Sequence, residues 1–218
     1  MGNTYIDNLD LPGLAVVFNR CRSCSYVTID TAFGNGCPNC RAAQGTNELL
    51  HFSFDTYALL ELLADSHLRR LTDNRHNTQL LATVIFFCSL TEVLLYHFLV
   101  NLMDQKRIDR NVQKRLLSDN LTIKQRVDRL FPTLTDQSWK EAIKRINANS
   151  KLYDYSKTIN FYTQFAAPAR NKFLHEGDKW VISEDIAENC ILHARRLVCF
   201  FVELHNKYIA DEKSKRQS

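Results

Sequence analysis

Two Cys-x-x-Cys pairs, Cys21-Arg22-Ser23-Cys24 and Cys37-Pro38-Asn39-Cys40, are separated by twelve residues and constrain this 218-residue chain more than any other feature. A Cys-x-x-Cys turn aims both sulfurs at one point, and two such turns complete the tetrahedral thiolate shell that Zn2+ accepts. Gly34-Asn35-Gly36, just before the second pair, lets the chain turn sharply. The other three cysteines, Cys88, Cys190 and Cys199, sit singly in apolar stretches. That usage points to a reducing, cytoplasmic setting and a metal site, not a disulfide framework. Four sulfurs on one ion leave no position for an activated water, so the expected Zn2+ is structural; iron in the same thiolate shell stays open as an alternative.

In this pattern residues 21–40 resemble the zinc-ribbon family. The surrounding residues 1–46 hold most of the glycines and short β-branched runs such as Ala15-Val16-Val17-Phe18 and Tyr26-Val27-Thr28-Ile29, which read as a small β-rich module. The module carries three Arg against three Asp and no Lys, so no strong grip on nucleic acid is written there.

From Asn47 onward Leu, Lys, Arg and Glu dominate and apolar residues recur at three- and four-residue spacing. Helices are expected at about 55–71, 77–105, 107–117, 122–131, 137–147, 150–175 with a break near Pro168, and 184–209. In the last, Ile186, Cys190, His193, Leu197, Phe201, Leu204 and Tyr208 form one stripe, with His193 expected as a core histidine. The expected fold is therefore mainly α, divided into a 1–46 module and a 47–218 all-helical domain. With 45% hydrophobic residues, six Gly and four Pro, the chain can bury a substantial core, which excludes collagen-like, mainly disordered and mini-protein classes. Leu80–Met103 is apolar enough to raise a membrane question, but Glu92 and His97 inside it favour a buried helix and no membrane. The first residues lack a basic region followed by an apolar stretch, so no secretory signal is expected.

The segment Arg170-Asn171-Lys172-Phe173-Leu174-His175-Glu176-Gly177 carries the second pattern of interest. With its Arg-x4-His spacing, the Asn after the Arg, and helices on both sides, the chain over residues 50–210 resembles the HEPN family (higher eukaryotes and prokaryotes nucleotide-binding). The resemblance implies a HEPN-like helical bundle, a metal-independent endoribonuclease, and a homodimer in which two protomers pool their motifs. It also implies stress-response, toxin or defence settings, with an inhibitory antitoxin or other regulatory partner.

The residue types suit that chemistry. RNA is cut without a metal when a base takes the proton of the 2′-hydroxyl and a cation stabilises charge growing on the phosphate. His175 is the residue here whose unperturbed pKa lies near neutrality, Arg170 offers a fork of donors to phosphate oxygens, and Asn171 is a neutral amide that can orient either. On an ideal helix Asn171 and His175 share a face while Arg170 is turned away, so one copy does not make a complete site. Glu176 can orient His175, and Glu92 is a polar residue that HEPN domains often place opposite the motif. The structural alternative is a helix C-terminus at His175 with Gly177 as its cap and Arg170 in an ion pair.

Net charge is +4, from 28 Lys and Arg against 24 Asp and Glu, which permits an anionic partner without requiring one. Residues 106–129 hold eight Lys or Arg against three Asp, so Arg107, Arg110, Lys114 and Arg115 are the expected RNA-binding residues. A non-catalytic nucleotide-, RNA- or protein-binding module of the same helical type is the second reading, and a zinc-ribbon protein with an unrelated helical dimerisation domain the third. No P-loop, dinucleotide-binding glycine pattern or Gly-x-Ser-x-Gly elbow is present, so ATPase, Rossmann oxidoreductase and α/β-hydrolase classes have no support.

Overall fold

The computed structural model describes residues 18–29, 36–42, 47–49, 54–72, 76–150, 153–178 and 181–210. Strands β1 (Phe18–Cys21), β2 (Val27–Ile29) and β3 (Asn47–Leu49) form an antiparallel sheet in the order β2-β1-β3, with Asn19 opposite both Thr28 and Leu49. Helices follow: α1 (Phe54–Thr72), α2 (His76–Gln105) and α3 (Arg110–Ser118). Next, α4 runs through Ile123–Gln125, a π-helical turn Arg126–Leu130 and Phe131–Thr135. α5 is Trp139–Asn149, and α6 runs through Tyr155–Phe161, a π-helical turn Tyr162–Ala166 and Ala167–Glu176. α7 (Glu184–His205) continues into a π-helical turn at Asn206–Ala210. The mainly helical fold with a small sheet is the class the sequence predicts. Gly34, Asn35 and the run before Phe18 lie outside the described residues.

Two expectations need correcting locally. The helix expected from 107 starts at Arg110, because Arg107 adopts a left-handed backbone (φ 57°) and Asp109 caps the helix by accepting from the Asn111 N–H at 2.8 Å. The expected break at Pro168 is absent. Pro168 lacks the N–H that would bond the Gln164 carbonyl, and a π-turn solves this by widening the preceding turn, with the Ala167 N–H donating to the Tyr162 carbonyl. Pro132 is handled identically: the turn Arg126–Leu130 ends two residues before it, and the Phe131 N–H donates to the Arg126 carbonyl.

The chain groups into two compact units, which do not follow the composition break at residue 46. One comprises described residues within His51–Val93 and Asp154–Val198. Its core sets Leu60, Leu63 and Ala64 of α1 with Leu80, Val84, Phe87 and Leu90 of α2, Tyr155, Ile159, Phe161 and Ala166 of α6, and Ala187, Cys190, Ala194 and Leu197 of α7. Phe87 meets Phe161 at a ring distance of 5.8 Å. Several buried polar side chains here pair with one another: Ser66 and Thr83 share a hydrogen bond at 3.0 Å, and His193 bonds Thr158 at 3.0 Å while stacking on Phe161 at 4.9 Å.

The other unit comprises described residues within Val17–Leu50, Leu94–Tyr153 and Cys199–Ser218. Its core is aromatic: Phe131 meets Trp139 edge-on at 5.0 Å and Tyr208 at 5.6 Å, and Phe98 and Phe200 complete the group. The cysteine module belongs to this unit because the end of α7 binds it directly. Asn206 accepts from the Val27 N–H and donates to the Val27 carbonyl, both at 2.7 Å, and His205 Nε2 donates to the Ser25 carbonyl at 2.9 Å.

The stretch Thr78–Gln105 is long and apolar enough to cross a membrane, yet 56% of its most apolar window is buried inside the protein. That is compatible with a core helix of a soluble protein.

Candidate functional site

Each cysteine pair folds into the same backbone turn. The Ser25 N–H donates to the Cys21 carbonyl and the Cys21 N–H to the Tyr26 carbonyl, both at 2.8 Å. The second turn repeats this with Arg41 to Cys37 at 2.8 Å and Cys37 to Ala42 at 3.0 Å. Ser25 (φ 66°) and Arg41 (φ 58°) both take the left-handed conformation that closes such a turn. Gly36 also has positive φ (99°), and a Cβ there would lie 2.7 Å from the Ala42 carbonyl oxygen. Only glycine fits this approach.

The turns bring four sulfurs together. Cys21 and Cys40 Sγ lie 3.7 Å apart, Cys24 and Cys37 Sγ 3.6 Å, and all four fall within 4.8 Å of one another. A sulfur tetrahedron with metal–sulfur bonds of about 2.3 Å has edges of about 3.8 Å, so the geometry fits Zn2+. Asn39 Nδ2 points at Cys24 Sγ from 3.6 Å, a donor suited to a thiolate. Burial pushes the Cys24 thiol up to about 12 and raises that of Cys37. At Cys21 burial acts in the same direction, but hydrogen bonds from the Cys24 and Ser23 amides and neighbouring thiols outweigh it and bring the value to about 7. Packed thiolates of this kind need a cation to hold their charge.

In the other unit, the motif occupies the last turns of α6. Arg170 is partly buried, with Nη1 donating to Glu92 Oε1 at 2.5 Å and Nε to Asn171 Oδ1 at 3.2 Å. Burial works against its charge, and the hydrogen bond and charge of Glu92 outweigh that, so its pKa stands above the ordinary value. Behind the pair are Cys88, whose thiol burial raises to about 12, and Tyr162, raised by burial and by nearby negative charge. Asn171, His175 and Glu176 are exposed. The helix ends on Gly177 (φ 69°), whose N–H donates to the Phe173 carbonyl at 2.8 Å, and Lys172 reaches Asp178 at 3.1 Å. The features of a capped helix end and those of an exposed motif thus coexist.

The structure brings Glu92 to Arg170 and Asn171 to Arg170, and leaves His175 on the outer turn. Arg107, Arg110, Lys114 and Arg115 are all exposed on and before α3, with Arg115 3.8 Å from Asp119. Sequence reasoning missed Arg70, which is buried on α1 and ion-paired to Glu184 at 3.6 Å and Glu188 at 3.4 Å. Its sign in the sequence is faint, an Arg at the inward spacing of Leu63 and Ser66. It also missed Asn206, which only a fold can bring to Val27.

Set against protein-family models, curated proteins and solved structures, the chain matches none of them. The residues themselves carry the structural conclusion: a mainly helical protein with a four-cysteine cluster of zinc-compatible geometry.

Proposed function

We propose that this protein is a metal-independent endoribonuclease of HEPN type that carries a structural zinc ribbon. In the proposed reaction His175 takes the proton of a ribose 2′-hydroxyl. The 2′-oxygen attacks the adjacent phosphorus, the bond to the 5′-oxygen breaks, the departing oxygen takes a proton from an imidazolium or from water and leaves as a 5′-hydroxyl, and a 2′,3′-cyclic phosphate remains. Arg170 stabilises charge on the phosphate oxygens, Asn171 orients the phosphate or imidazole, and Glu176 steadies His175. Because Arg170 and His175 are turned apart on one helix, two copies of the chain facing each other supply a complete set. Zn2+ serves the fold and takes no part in the reaction. The setting proposed is cytoplasmic, in stress response, toxin activity or defence, with an antitoxin-like partner as restraint.

The observation that carries this reading is the partly buried Arg170 guanidinium, fixed by Glu92 and Asn171 on the helix that also bears exposed His175. A second reading, a non-catalytic nucleotide-, RNA- or protein-binding module, is favoured by the same pair: a guanidinium already neutralised by Glu92 is a weaker partner for a phosphate in flight.

The test is incubation of the zinc-loaded protein with mixed RNA in EDTA, beside His175→Ala and Arg170→Ala proteins shown to be folded. Cleavage by the wild type alone, with 2′,3′-cyclic phosphate ends, is expected. Folded wild type that binds RNA without cutting it would replace this reading with the binding module.

A further inference from the structure

Four of the described arginines stand beside carboxylates. Arg69 pairs with Asp65 at 2.8 Å, Arg70 with Glu184 and Glu188, Arg115 with Asp119, and Arg170 with Glu92. Each is a cation beside a carboxylate. Arg126, in the π-turn of α4, is held by neutral groups instead. Its Nε donates to the Asn120 carbonyl at 3.0 Å, and its Cζ lies 5.7 Å from the centroid of the Tyr96 ring on α2. Among the described residues no carboxylate pairs with it.

Both holders are themselves fixed. Asn120 is buried and donates through Nδ2 to the Leu116 carbonyl at 2.9 Å. Tyr96 stands edge-on to His97 with ring centroids 5.5 Å apart. A guanidinium immobilised by a carbonyl and a π face keeps its full charge, and its two Nη groups form a fork that matches phosphate oxygens. The hydrogen bond and the ring contact restrict its rotamers, so a ligand has less freedom left to remove. Beside it Tyr96 is an exposed residue, 40% accessible. Lys124 and Arg129 are exposed on the same segment, and the one acid between Lys124 and Arg129 is exposed Asp128. A positioned guanidinium fork next to an exposed aromatic residue, on a cationic surface, suits the two chemistries of one nucleotide: a phosphodiester and an unpaired base.

We propose that Arg126 and Tyr96 form a subsite for one nucleotide of single-stranded RNA, with the Arg126 fork on the phosphodiester and a base stacked on the Tyr96 ring. The inference rests on the reading of RNA as substrate and adds to it the single-stranded form. A paired base keeps its faces within its own stack and cannot reach Tyr96.

The experiment measures binding of the full-length, zinc-loaded protein to a labelled oligouridylate with methylated 2′-hydroxyls, which cannot be cut by the proposed reaction. A duplex RNA of equal length and polyglutamate serve as competitors, and salt is varied. Tyr96→Leu is expected to weaken single-strand binding about 5- to 100-fold with the salt slope unchanged, while Tyr96→Phe binds as wild type. Arg126→Gln is expected to weaken binding and lower the slope by about 0.7, the share of one phosphate contact. Arg126→Lys, which retains the charge but not the fork, keeps the slope and loses affinity, and it replaces Arg126→Gln if that protein does not fold. Wild-type affinity and slope in folded Tyr96→Leu and Arg126→Gln would overturn the subsite and leave the RNA reading standing. Preference for polyglutamate over RNA would assign the surface to an acidic protein and overturn the subsite, and no RNA binding by the wild type would remove both.

Discussion

Arg170 on the motif helix and Glu92 on α2 meet in an ion pair at 2.5 Å, 78 residues apart in sequence. Their side chains are 18% and 38% exposed, which places the pair between a surface contact and a buried one. Glu92→Ala is expected to cost about 1 kcal/mol, a value discounted for the solvent that reaches the carboxylate. A double-mutant cycle with Arg170→Ala, read by urea unfolding, checks whether the loss belongs to the pair. His175→Ala, on an exposed turn, is expected to change stability by less than about 0.5 kcal/mol. Loss of cleavage in that variant then reports on chemistry and not on unfolding.

Gly36 tests the cysteine site from its backbone. Alanine there combines a disfavoured φ of 99° with a 2.7 Å approach to the Ala42 carbonyl oxygen, which itself accepts from the Cys37 N–H. Gly36→Ala is expected to weaken zinc retention about 5- to 150-fold, since strain of this kind costs roughly 1–3 kcal/mol. Competition with a chromophoric chelator measures it, and unchanged affinity would show that the second turn is not needed in this form.

Metal removal gives a third outcome. The purified protein is expected to hold one divalent ion, and Cys24→Ser to lose it. Chelation is expected to speed hydrogen exchange at the Ser25 and Arg41 amides, which close the two turns on the Cys21 and Cys37 carbonyls. Unchanged exchange at both amides after verified metal loss would mean the turns stand without the ion.

His193 supplies a pH dependence. Burial, with a smaller contribution from Arg196, lowers its pKa from 6.5 to about 4 in the folded protein. The unfolded chain therefore binds the proton more readily, and the stability due to neutral His193 is complete above about 6.5 and lost as pH falls toward about 4. His193→Gln, which can still meet Thr158, is expected to flatten unfolding midpoints across that window. A slope equal to wild type would assign the acid sensitivity elsewhere.

Local chemistry was legible in the chain and remote pairing was not. The cysteine spacing predicts the cluster because each pair needs only its own turn to aim two sulfurs. The apolar stripe from Cys190 to Tyr208 predicts the buried face of α7 because helical period alone decides it. Pro168 misleads, since the rule that proline breaks a helix assumes an α-turn before it, and the widened turn at Tyr162–Ala166 has no sequence mark. Arg107 misleads in the other direction: its neighbours have helical spacing, yet the chain reverses there with φ 57°. The Arg126–Tyr96 contact and the Arg70 ion pairs depend on which helices pack together, which periodicity within one helix does not contain. Glu92 stands out as a charge in an apolar helix, and the HEPN resemblance implies its place opposite the motif, whereas periodicity alone does not give its pairing with Arg170.

The bond between Asn206 and Val27 joins residues 179 positions apart, and it sets a timetable for the growing polypeptide. The cysteines leave the ribosome ahead of the helices, whereas the amide that bonds Val27 arrives only after most of those helices have been made. Closing so long a loop is slow, because chain entropy must be surrendered before the contact forms. Until then the edge of β2 lacks its partner, and nascent chains halted before Asn206 should release zinc to a chelator faster than completed ones.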